Sequence, residues 1–89
     1  MNDKGKQVAL MYVGSENERY LEYFGESDRF YIWFARIRDE GNSIEIYINK
    51  KTNEIENVGP WGNPPSAYLN DIKQAYEDKR NRERMDYFI

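Results

Sequence analysis

Among the side chains here that could transfer a proton or hold a metal ion, the carboxylates cluster most densely, at Glu16, Glu18, Glu22, Glu26 and Asp28. Paired carboxylates support general acid–base hydrolysis or bind a divalent cation. These are spaced along a solvent face, and no glycine-rich phosphate loop or nucleophile motif accompanies them. The chain also has no histidine and no cysteine. That removes the commonest acid–base group at neutral pH, the thiolate zinc site, the thiol nucleophile and the disulfide framework. The expectation is a protein that is not an enzyme, with no catalytic, cofactor-binding or metal-ligating residue.

What remains is recognition chemistry. Trp61 stands in NVGPWGNPPSAYL, among two glycines and two prolines and outside any periodic pattern. Its ring either plugs the protein's own core, with Gly59 and Gly62 letting backbone pack against it, or anchors a partner, since tryptophan is enriched among interface hot spots. The Pro-Pro segment is pre-extended and loses little entropy on docking. A second candidate lies in SIEIYINK, where Ile44, Ile46 and Ile48 share one face and Glu45, Tyr47 and Asn49 the other. That polar face reads as wet, with Glu45 and Tyr47 forming a flat contact surface. A third is the apolar end MDYFI, where Met85, Tyr87, Phe88 and Ile89 either fold back on the domain or project to a partner or a second copy. The basic residues Lys79, Arg80, Arg82 and Arg84 are offset by Glu77, Asp78, Glu83 and Asp86. Nucleic-acid binding would need Phe30, Phe34 and Tyr47 exposed beside a basic groove.

These candidates need a scaffold. At 89 residues the chain is one domain, and 14 aromatic residues supply much of its core. QVALMYV, Gln7–Val13, is apolar on both alternating faces and reads as a buried strand, with a short helix from near Asp3 as the competing reading. SENERYLEYFG has the S-x-x-E spacing of a capping box at Ser15 and Glu18 and a terminal glycine at Gly25, which predicts a short helix over Glu16–Phe24. RFYIWFARIR, Arg29–Arg38, is the strongest strand, with both faces apolar in its first half. Ser43–Lys50 pairs with it across the turn DEGN, and Glu54–Val58 is a weak edge strand. Pro64 and Pro65 open a long helix in which Leu69, Ile72, Ala75 and Tyr76 share a face. Beyond Tyr76 the octet EDKRNRER has no core-facing side chain, though Glu77–Arg80 and Asp78–Arg82 have the spacing of helical ion pairs.

The expected architecture is a single α+β domain. Residues 1–65 form a sheet body of three to four antiparallel strands with a short helix. Residues 66–89 form a long helix and apolar tail, with Leu69, Ile72 and Tyr76 laid on the isoleucine face. IEIYINKKTNEIENV, 15 of the 89 residues, resembles the closing hairpin of PepSY-type domains, a likeness that implies no function.

Residues 1–65 hold 8 basic against 11 acidic side chains, and residues 66–89 hold 5 against 5. Neither part is drawn to nucleic acid by bulk charge. The apolar run Val8–Val13 is too short to span a membrane, and no small-residue cleavage site follows it. A cytoplasmic protein is expected. The function expected from these features is stoichiometric protein binding, as an inhibitor or adaptor of the kind bacteria and phages use in host takeover. Its partner would be another protein, for instance a basic one that handles nucleic acid. The rival readings are a homo-oligomeric scaffold assembled through the C-terminal helix, and single-stranded nucleic-acid binding.

Overall fold

A strand that is apolar on both faces cannot leave either face in water, and the architecture follows from that requirement. The computed structural model describes residues 3–37 and 42–87, with the backbone alone for residues 37, 42 and 85–87. In chain order it has helix α1 (Lys6–Val13), a 3₁₀ segment (Ser15–Tyr20), strands β1 (Leu21–Glu26), β2 (Phe30–Ile37), β3 (Asn42–Asn49) and β4 (Ile55–Pro60), a 3₁₀ turn (Ser66–Tyr68) and helix α2 (Leu69–Tyr87). The strands form one antiparallel sheet in the order β1-β2-β3-β4. The α+β class, the short N-terminal helix and the long C-terminal helix are those expected.

Two N-terminal segments exchange the roles read from sequence. Gln7–Val13 lies in helix α1, not a strand: Ala9, Leu10 and Met11 favour the helix. The Asp3 carboxylate accepts hydrogen bonds from the N–H groups of Gly5 and Gln7 at 3.0 and 3.3 Å. Gly14, at φ 93°, ends it while donating to the Leu10 carbonyl. Conversely, the predicted helix over Glu16–Phe24 is a 3₁₀ segment followed by β1. A nine-residue helix is marginal alone, and pairing along β2 outweighs the capping signal. The Ser15 side chain makes no capping bond.

Both sheet faces are covered. On one, Ala9 of α1 packs with Trp33, Ala35, Ile46 and Ile48, and Trp33 Nε1 donates to the Lys4 carbonyl at 2.8 Å. On the other, Ala75 of α2 packs with Phe24, Phe30, Ile32, Phe34 and Tyr47, flanked by Tyr68 and Ile72. The expectation that α2 lies on the isoleucine face is therefore corrected: α1 occupies that face. The helix face is corrected too, since Leu69 and Tyr76 stand 47% and 55% exposed.

What α2 turns toward the sheet is mostly polar. Phe24 is the extra residue of a bulge between Tyr23 and Gly25, and Gly25 meets the α2 backbone so closely that an added Cβ would overlap the Ala75 carbonyl oxygen. Around this contact the outer edge of β1 and the turn after it are bonded by side chains of α2. Arg82 Nη2 donates to the Phe24 carbonyl at 2.5 Å, the Glu26 N–H donates to Asp78 Oδ2 at 3.2 Å, and the Asp28 N–H donates to Gln74 Oε1 at 2.8 Å. The anticipated Asp78–Arg82 pair exists, at 3.3 Å, and its members bond to a strand edge that would otherwise be unpaired. The polar octet thus continues the helix because its inward side chains bond to backbone.

One turn earlier, Asp71 is 4% exposed. Ser27 Oγ donates to it at 2.7 Å, and Arg29 donates through Nε and Nη2 at 3.3 and 2.6 Å. Burial alone would raise the Asp71 pKa, but the bonds from Arg29 and Ser27, with the charge of Arg29, outweigh burial and hold the carboxyl below its ordinary value.

Gly25→Ala is expected to destabilise the protein by about 1–3 kcal/mol in denaturant melts, because the obstructing atom is backbone. Gly59→Ala, whose new Cβ would come no closer than 3.7 Å to its nearest neighbour, should stay within about 0.5 kcal/mol of wild type. A folded pKa below the unfolded one makes the Asp71 contribution complete above about pH 4, the unfolded value, and lost as pH falls through the folded value. Melts of wild type and Asp71→Asn from neutral pH down to about pH 2 should show a gap that closes with acid; a constant gap would refute the assignment.

Candidate functional site

The loop after β4 is tied down one backbone group at a time. The Trp61 N–H donates to the Ser43 carbonyl at 3.0 Å, extending the β3–β4 ladder past Pro60. Gly62 then takes φ 85°, a conformation that suits glycine. Its N–H donates to Glu45 Oε2 at 3.0 Å, while the Tyr47 hydroxyl donates to Glu45 Oε1 at 2.7 Å. Among the described residues no cation pairs with this carboxylate.

Glu45 is 2% exposed and Tyr47 fully buried. The wet contact face expected from Glu45 and Tyr47 is therefore corrected. Alternation sorted the side chains onto the right faces, but this face is sealed, with the Tyr47 hydroxyl and the Gly62 N–H satisfying the Glu45 carboxylate. Burial, then the bond to Glu45, raises the Tyr47 pKa well above the ordinary phenol range, so the hydroxyl stays protonated and remains a donor. Tyr68 closes the same region with its ring 4.8 Å from that of Tyr47 and its hydroxyl donating to Glu56 Oε2 at 3.1 Å.

Trp61 answers both of its sequence readings at once. Its ring lies on Phe34, with centroids 4.0 Å apart, yet the residue is 39% exposed. Phe34 stacks on Phe24 at 4.3 Å, and Phe24 contacts Tyr76 at 6.4 Å. A row of rings thus crosses the domain from the end of β4 to α2, with both ends open and its middle buried. Beside the α2 end is an open hollow of about 350 Å³ lined by Phe24, Ile72, Lys73, Tyr76, Glu77 and Arg80.

Phe30, Phe34 and Tyr47 are 1%, 5% and 0% exposed, so these rings do not offer bases a stacking surface. Among the basic residues, Arg82 is held by Asp78 and the Phe24 carbonyl, and Lys79 faces Glu83 at 4.0 Å. Met85 and Tyr87 belong to the α2 backbone, and their side chains lie outside the described set, as do Phe88 and Ile89 entirely. Among the described residues no three acidic side chains gather to hold a metal ion, and no helix is long and apolar enough to cross a membrane. Sequence reasoning passed over Tyr76 and Leu69 as surface residues by assigning them to the core face. The signal that would have oriented α2 is the polar spacing Asp71, Gln74, Asp78, Arg82.

The chain matches no family model, no curated protein and no solved structure.

Tyr47→Phe deletes one of the two donors to a sealed carboxylate. It should cost about 1–3 kcal/mol in denaturant melts. Tyr12→Phe, on the exposed side of α1, should leave stability unchanged.

Proposed function

We propose that this chain is a cytoplasmic, non-enzymatic protein-binding module, an inhibitor or adaptor that acts stoichiometrically through the Trp61 end of the aromatic row. The supporting observation is a large ring held in a fixed place and still open to a partner. Trp61 is bonded to Ser43 through its backbone N–H, followed by Gly62 bonded to Glu45, and stacked on Phe34, while 39% of the residue is in solvent. An aromatic anchor fixed before binding loses little conformational entropy when it docks, and such residues carry most of the affinity at protein interfaces.

Charge narrows the partner. The formal net charge of −3 comes from residues 1–65, the part that carries Trp61. Complementary charge speeds encounter, so the partner expected is a protein with a basic surface around an apolar pocket sized for an indole.

Affinity capture from lysate, with immobilised wild type against folded Trp61→Ala and Trp61→Phe, tests this reading. Trp61→Ala should weaken the captured 1:1 complex by about 30-fold or more, the equivalent of about 2 kcal/mol, and Trp61→Phe by less. Equal capture by wild type and Trp61→Ala would contradict the role given to this ring.

A further inference from the structure

The two edges of the sheet are left in different states. Along β1, side chains of α2 bond to the outward backbone of Phe24 and Glu26. Strand β4 has only β3 beside it, and that ladder fixes which of its backbone groups turn outward. The Asn49 N–H donates to the Glu54 carbonyl at 2.9 Å, and the Trp61 N–H to the Ser43 carbonyl at 3.0 Å. Between these two bonds Glu45 stands opposite Gly59 and Tyr47 opposite Asn57, with a bulge at Glu56. Bonded and non-bonded pairs alternate in an antiparallel ladder. Gly59 and Asn57 therefore bond to β3, while the N–H and C=O of Val58 and Ile55 point away from it. Among the described residues no group bonds to these outward groups. Past Val58 the Pro60 carbonyl accepts from the Asn63 N–H at 3.3 Å, so the open length runs from Ile55 to Val58.

We propose that the outer edge of β4 receives an extended segment of the partner protein, which joins the sheet as a fifth, antiparallel strand bonded to Val58 and Ile55. It rests on the reading of Trp61 as an anchor and names the form of the partner that meets it. A strand is the occupant these groups call for. An N–H and a C=O turned the same way from one residue are satisfied together by a single residue of an antiparallel neighbour. The space beside β4 is open. Helix α1 packs over β1, β2 and β3, and α2 over β1 and β2, so neither stands in the way of a strand about 4.8 Å beyond β4. The loop after β4 turns inward, since Gly62 is held by Glu45 of β3 and the Ala67 carbonyl accepts from Arg29.

The side chains along this edge specify the segment. Asn57, Gly59 and Trp61 follow one another on the face that holds Tyr47 and Phe34. Gly59 leaves a gap in that row, where an added Cβ would meet only the Asn57 side-chain nitrogen, at 3.7 Å. An aromatic residue opposite Gly59 covers the gap and reaches the exposed side of Trp61 as its diagonal neighbour. Two residues further along, opposite Asn57, the segment passes Glu56, with Glu54 nearby. Both are exposed acids, and neither pairs with a cation among the described residues. A lysine or arginine suits that position. The segment is thus an extended one in which a basic residue follows an aromatic one at the second position.

The probe is the blocked peptide TTFVKTK, whose valine would lie opposite Val58. It is titrated into isotope-labelled protein by NMR, with amide exchange measured on the complex. The Val58 and Ile55 amides should shift and gain protection of about tenfold or more. The same peptide with its valine N-methylated cannot donate to the Val58 carbonyl and should bind about tenfold more weakly. Val58→Pro removes the outward N–H and no bond of the β3–β4 ladder, and should lose the peptide. Val58→Ala shortens the side chain but keeps the N–H, and should retain it. The proposal is overturned if the peptide leaves the Val58 amide unchanged up to about 1 mM, or if the N-methylated peptide binds equally. It is also overturned if Val58 is protected without peptide, increasingly with protein concentration, which would give the edge to a second copy. Should Val58→Pro not fold, the N-methylated peptide carries the test on the wild-type protein. None of these failures touches the loss of capture by Trp61→Ala, so the two readings fail separately.

Discussion

The contact between α2 and the β1 edge is the constraint on which the rest of the structure depends. Strand β2 presents Phe30, Ile32 and Phe34 on one face and Tyr31, Trp33 and Ala35 on the other, so the sheet needs cover on both sides. The described residues hold two α-helices, and each takes one face. Helix α1 uses ordinary apolar packing around Ala9. Helix α2 has too few apolar residues for that. It reaches the sheet where Gly25 removes the side chain that would hold it off, and bonds through Asp71, Gln74, Asp78 and Arg82. Each of these side chains meets a backbone group or a buried polar partner, so the cost of dehydrating them is offset within the interface.

This mode of docking explains the surface that is left over. With its inward side polar, α2 turns Leu69 and Tyr76 outward. With α2 lying toward β1 and β2, the rest of that face is closed by the loop from Trp61 to Tyr68. Glu45 fixes this loop because it is buried: its two oxygens hold Tyr47 below and Gly62 above. The tryptophan is part core and part surface, and a ring in that position is both immobile and accessible. An anchor of this kind supports the reading of the domain as a binding module.

Much of the scaffold was legible in the sequence. Strands β2, β3 and β4 lie within a residue or two of where alternation puts them, and α2 begins after Pro64 and Pro65 as proline chemistry suggests. The segments that were not legible failed for identifiable physical reasons. Val8 to Val13 is apolar throughout, so it carries no period to distinguish helix from strand, and the Asp3 cap with Gly14 decided for helix. Ser15, Glu18 and Gly25 imitate the two ends of a helix, but Gly25 serves the approach of α2, a demand from residues some fifty positions away. Glu45 and Tyr47 were sorted correctly and then misjudged as wet, because local pattern reports which face a residue takes and not what covers that face. Trp61 resisted assignment because a ring supported beneath and open above satisfies both readings.

The central claim is that side chains of α2 take the place of a neighbouring strand along β1. Native-state hydrogen exchange reads this directly at the Glu26 and Asp28 amides, which have carboxylate and amide oxygens of α2 as acceptors and no strand beyond them. The account predicts that both are protected from exchange in the wild-type protein, to an extent comparable with the inward-facing amides of β1. Exchange of these two amides at the rate of exposed loop positions, with the inward-facing amides of β1 protected, would contradict it.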